Sequence, residues 1–129
     1  MNKFMKLLSV ALVFFCVQTA SSQTNEDHAS TVMDFAKAYN YLSPESIHHL
    51  FDEEYQKVHT VDKLDEFLDN KNPVLGMIED CRMIASENGR KSYIMKGGKS
   101  IMIMKFEFSS DNKITFFETE TLHESLPTY

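Results

Sequence analysis

Between Gly76 and Leu122, four runs of strand-forming residues are separated by three compact turn signals, a rhythm that predicts a four-stranded antiparallel meander. Asn88-Gly89 suits a two-residue hairpin, because both residue types tolerate the positive φ such a turn requires. Gly97-Gly98 and the polar cluster Ser109-Ser110-Asp111-Asn112 supply the other two turns. The clearest alternation is Met102, Met104, Phe106 and Phe108 against Ile101, Ile103, Lys105 and Glu107. Its first face is wholly apolar and its second becomes polar along its length, as in a strand that packs helices on one side only. In the last run, Ile114, Phe116, Glu118 and Glu120 alternate with Thr115, Phe117, Thr119 and Thr121, so its inward face is not assigned by pattern.

Upstream of this region the period is helical. Val32, Phe35, Ala36 and Tyr39 mark one face of a first helix. Ser43-Pro44 is a start signal for a short second helix, with Ser as N-cap and Pro in the first turn. Its apolar side is Ile47, Leu50 and Phe51. Thr60 caps a third, in which Leu64, Phe67 and Leu68 face inward, and Asn72-Pro73 is expected to stop it. Helices first and an antiparallel sheet second give an α+β fold, with the N-terminal helices packed on one face of a curved four-stranded antiparallel sheet.

The first residues read as a secretory signal peptide. Lys3 and Lys6 supply a basic start, Leu7 to Val17 form an apolar run too short to span a bilayer, and Ala20 and Ser22 suit cleavage before Gln23. Cys16 follows Phe14-Phe15, which departs from the small residue a lipidation motif requires. The expected organisation is therefore a signal peptide over 1–22 and a single domain over 23–129, exported to a periplasmic or extracellular location, with no membrane insertion after processing. Gln23 to Asp27 reads as a loose leader and Glu124 to Tyr129 as a short tail.

Loss of Lys3 and Lys6, with no acidic residue before Gln23, takes the formal charge from −6 to −8. An acidic domain without a dense basic stretch repels phosphate backbones, so nucleic acid is excluded as a partner. Only Cys81 remains after cleavage, so no internal disulfide forms. Cys81 reads as a small core residue on a strand, or as a reactive or intermolecular thiol.

Several short words occur in a fixed order: Phe35-Ala-Lys-Ala-Tyr39, Ile47-His-His-Leu-Phe51-Asp, Leu64-Asp-Glu-Phe67-Leu68, Gly76-Met-Ile78, Glu87-Asn-Gly89 with Ser92-Tyr93, and Asp111-Asn-Lys-Ile114. Taken together they resemble NTF2-like domains of the DUF3887 type, found in secreted bacterial proteins and sometimes ahead of a serine hydrolase domain. The resemblance implies a cone of three helices wrapped on a curved sheet, with a cavity mouth between the layers. The chain ends where the hydrolase domain would begin, and its mature part has no Ser-x-x-Lys, so hydrolase activity is not carried over.

Chemistry-bearing residues form no motif that assigns a catalytic role. Candidates for an acid–base pair are Asp34, Asp80, Tyr93 and Glu118, with Tyr39, Tyr41, His49 and Glu120 beside them. Glu45, His48, His49, Asp52 and Glu53 gather metal-competent groups, and on one helix His49 would share a face with Glu45 and with Glu53. That spacing matches no closed ligand frame, so no metal and no cofactor are expected. Candidates to line an apolar pocket are Tyr39, Met102, Met104, Phe106 and Phe108. The leading reading is a secreted, non-enzymatic NTF2-like domain that binds a small apolar ligand or a protein partner. A small acid–base enzyme of isomerase or cyclase type, with the cone as active site, is the alternative. A structural module that forms a homodimer through an exposed sheet face is the third. A closed apolar core favours the surface, an open apolar cone a ligand, and convergent buried polar groups catalysis.

Overall fold

A computed structural model describes residues 25–122. The chain divides into two units, 1–30 and 31–129. In the first, residues 25–30 are helical, so the leader expected to be loose takes helical form from Asn25 onward. The signal peptide and the C-terminal tail lie outside the described residues.

The second unit opens with helix α1, residues 31–40, whose Val32, Phe35, Ala36 and Tyr39 are buried, as their spacing predicts. It closes with Leu42 at φ 54°, while Leu42 N–H donates to Tyr39 O and Ser43 N–H to Ala38 O. This is the left-handed helix end that glycine usually occupies, here formed by a leucine. Helix α2, Pro44–His48, starts on Ser43, whose Oγ accepts from Ser46 N–H at 3.3 Å.

The chain then turns where the sequence pattern had continued one helix. Asp52 N–H donates to Ile114 O and Ile114 N–H to Leu50 O, which draws Phe51 into a bridge with the sheet. Asp52 caps a separate helix α3, Glu53–Val58, by accepting from Tyr55 N–H at 2.9 Å. His49 and Glu53 therefore do not share a helix face, which corrects the expected cluster.

Helix α4, Val61–Leu75, buries Leu64, Leu68 and Leu75. It runs past Asn72-Pro73, contrary to the expected stop. Pro73 removes one donor in the last turn, but the terminal carbonyls gain partners from the loop between two strands. Pro73 O accepts from Lys99 Nζ, Val74 O from Ser100 Oγ and Leu75 O from Lys99 N–H, and Leu75 is buried.

Strands β1 (Ile78–Glu87), β2 (Arg90–Gly97), β3 (Ile101–Phe108) and β4 (Ile114–Leu122) form one antiparallel sheet in sequence order. The fold is α+β, as the order of patterns predicts. Asn88 and Gly89, at φ 52° and 77°, make the first hairpin. Gly97 is required for space: a Cβ there would collide with the carbonyl and side chain of Leu75. Cross-strand partners assign two faces. Tyr93, Met104 and Thr119 share one row, and Ile94, Ile103 and Glu120 share the next row on the opposite face. In β4 it is Phe117, Thr119 and Thr121 that lie on the helix-covered face, which the alternation alone had left open.

Candidate functional site

The covered face is filled. Met95, Met102, Met104 and Phe106 are 0 % exposed, and Phe35 of α1 meets the Phe106 and Phe117 rings at 5.5 and 5.7 Å. Of the pocket candidates, Tyr39, Met102, Met104 and Phe106 lie within this core, and Phe108 packs partly buried against it, its ring stacked on Phe106 at 5.9 Å. The Tyr39 hydroxyl is buried without a well-formed hydrogen bond. Burial pushes its pKa up to about 12, and the Asn72 side chain offsets part of that rise.

The acid–base candidates are not brought together. Asp34 is exposed on α1; Asp80 and Glu118 are exposed on the open sheet face, on opposite edge strands; Tyr93 is buried on the covered face. Burial, and secondarily the neighbouring Cys81, raises the Tyr93 pKa, which keeps it a neutral phenol. Tyr41, His49 and Glu120 are exposed. Among the described residues no three His, Cys, Asp or Glu side chains are grouped to hold a metal ion, and His48 Nε2 instead lies 3.2 Å from Gln56 O. No described helix is long and apolar enough to cross a membrane.

The open face is built differently. At its hairpin end Arg90 lies 3.7 Å from Glu107 and 3.9 Å from Glu118, and its guanidinium sits 4.7 Å from the centre of the Phe116 ring. Lys105 reaches the same Glu118 carboxylate at 3.8 Å. Exposed pairs of this kind contribute little to stability. Arg90, Lys105 and Glu107, with Glu87 and Ser92, border a shallow depression of about 430 Å³. At the other end Ile94, Ile101, Ile103 and Leu122 are half-buried and form an apolar patch across three strands.

A second concave region, about 440 Å³, lies between α4 and β4 and includes His59, Phe67 and Phe117. Tyr55 pins its edge: the hydroxyl accepts from Phe117 N–H at 3.0 Å and donates to Phe117 O at 3.4 Å. The His59 ring lies 4.4 Å from Tyr55, 5.6 Å from Phe117 and 6.2 Å from Phe51. Desolvation, and then the Lys63 charge, lower its pKa, so the ring is neutral among the aromatics.

Sequence reasoning passed over His59, Arg90 and Lys91. His59 stands alone in the sequence because its ring partners come from α3, the Phe51 bridge and β4. Lys91 is buried on the covered face, opposite Phe106, and burial lowers its pKa. The alternation of Lys91 with Tyr93 and Met95 was a usable signal for it. No family model, curated protein or solved structure matches the chain.

Proposed function

We propose that this chain is an exported, non-enzymatic NTF2-like domain of the DUF3887 type that binds a protein partner through its outer surface. The observation that carries this reading is the filled interior. The side chains best suited to line an apolar cone are fully buried against one another, while the opposite sheet face keeps Ile94, Ile101 and Ile103 half-exposed beside the ordered charges of Arg90, Lys105, Glu107 and Glu118. Apolar area bordered by charged and polar groups is common at protein–protein contacts. The partner it fits is a flat surface with an apolar area at one end and both charge signs at the other. A small apolar ligand has less support, because its expected lining is already packed. Catalysis has less support again, because Asp34, Asp80, Tyr93 and Glu118 do not converge: Asp34 is on α1, Tyr93 is buried on the covered face, and Asp80 and Glu118 are on opposite edge strands.

Mass spectrometry of small molecules carried by the protein isolated from its producing cells tests this reading. No stoichiometric small molecule is expected. One apolar molecule retained per chain overturns it in favour of a ligand carrier.

A further inference from the structure

Strand β1 forms one edge of the sheet, and among the described residues no strand pairs with its outer side. The opposite edge is held at Ile114 by Phe51 and at Phe117 by Tyr55. Asn40 satisfies only the start of β1, its amide donating to Ile78 O and its oxygen accepting from Ile78 N–H. Beyond that point, register shifts between Ile78 and Asp80 and between Met83 and Ala85 leave Asp80 to Met83 as the regular stretch. Met77, Met83 and Ile84 are exposed beside it, at 61, 46 and 53 %. Bulges and charges commonly blunt an edge against pairing. Here the charges have a second property, because Asp80 and Arg82 carry opposite signs on one face, 3.1 Å apart.

We propose that β1 pairs antiparallel with β1 of a second copy of this chain, about a two-fold axis that passes through Cys81 normal to the sheet. The inference deepens the surface-binding reading above by naming a partner and an edge. An axis in that direction keeps the helices of both copies on one side of the joined sheet, and it sets residues of the same face opposite each other. Charge then selects the register. Centring the axis on Asp80 or on Arg82 opposes like charges, which destabilises a cross-strand pair. Centring it on Met83 places Arg82 against Ile84, where the register is already broken. Centring it on Cys81 sets Asp80 of each copy opposite Arg82 of the other, so both attractive pairs form at once. Cys81 then faces its own counterpart with a small side chain, and Met83 is covered.

The contact is isologous and uses the free edge of both copies, so it closes as a dimer rather than extending into a filament. The two bulges restrict the new ladder to a few residues. That geometry predicts a reversible dimer.

Sedimentation velocity of the purified protein over a range of concentration tests the proposal, with thermal unfolding run on every variant. The parent chain is expected to show a monomer–dimer equilibrium. Asp80→Arg alone and Arg82→Asp alone each oppose like charges twice and are expected to weaken the dimer by about tenfold or more. Asp80→Arg combined with Arg82→Asp restores opposite signs and is expected to recover parental association. A parent chain that stays monomeric at all concentrations overturns the proposal. So does a dimer that ignores both single substitutions, or a double variant no stronger than the single ones. A dimer weakened by Ile103→Lys and indifferent to Asp80 and Arg82 overturns the edge pairing but leaves the surface-binding reading intact. That reading fails separately, on a retained small molecule.

Discussion

The two faces of the sheet are one residue apart along each strand and differ in chemistry and packing. On the covered face, Met95, Met102 and Met104 fill the space beneath the helices, where their unbranched side chains adapt to an irregular layer. The open face carries Ile94, Ile101 and Ile103, whose branched side chains hold few rotamers, together with Phe116 and Leu122. Ion pairs show the same division: the network of Arg90, Lys105, Glu107 and Glu118 lies wholly on the open face.

Neighbouring substitutions across that boundary give the largest expected contrast. Met104→Asp places an unpaired charge in an apolar layer, at a cost of several kcal/mol, comparable to the ~5–15 kcal/mol that holds a domain folded. Ile103→Asp, one residue away, is expected to cost about 1 kcal/mol or less. Circular dichroism melts of the two variants check this, and equal losses would erase the distinction between the faces.

Next in size is Gly97→Ala. Its Cβ meets backbone as well as side chain of Leu75, so the end of α4 must shift, with an expected loss of about 1–3 kcal/mol in denaturant titration. A parental midpoint would show that α4 does not seal the covered face there.

Tyr39→Phe should have the opposite sign. Removing a buried hydroxyl that lacks a well-formed hydrogen bond is expected to raise stability by about 1 kcal/mol. The pH dependence follows the same group. Because folding lifts the Tyr39 pKa from 10.0 to about 12, the folded state holds that proton more tightly. Stability is full below the unfolded value and falls as pH rises through this window. Burial raises Tyr55 and Tyr93 in the same direction, so Tyr39→Phe should reduce the alkaline slope without abolishing it.

The smallest effect concerns His59. Its pKa is depressed in the fold, so stability is full above the ordinary value of 6.5 and declines as pH falls toward the folded value. Melts between pH 7.5 and 5 should show that decline in the parent and a weaker one in His59→Phe, which keeps a ring against Tyr55 and Phe117. An unchanged acid limb in the variant would remove His59 from the account.

Much of the architecture was legible in the pattern of the sequence, because local signals and burial agree there. Ser43-Pro44, Thr60 and Asn88-Gly89 form the caps and turn their chemistry predicts. Met102, Met104 and Phe106 face inward as their alternation requires. The misread boundaries are those where distant partners intervene. The bridge of Phe51 to Ile114 ends α2 early, and carbonyl capping by Lys99 and Ser100 carries α4 past Pro73. The candidate surface was harder to read for the same reason. Arg90, Phe116 and Glu118 come together only through strand register, which single-sequence periodicity does not supply.

The core beneath the helices is closed, and the methionine methyl groups report on it directly. A methyl NMR spectrum recorded with and without a soluble paramagnetic agent should leave Met95, Met102 and Met104 nearly unaffected, while Met33, Met77 and Met83 broaden strongly. Strong broadening of Met102 or Met104 in the folded protein would show a solvent-open cone and contradict the account.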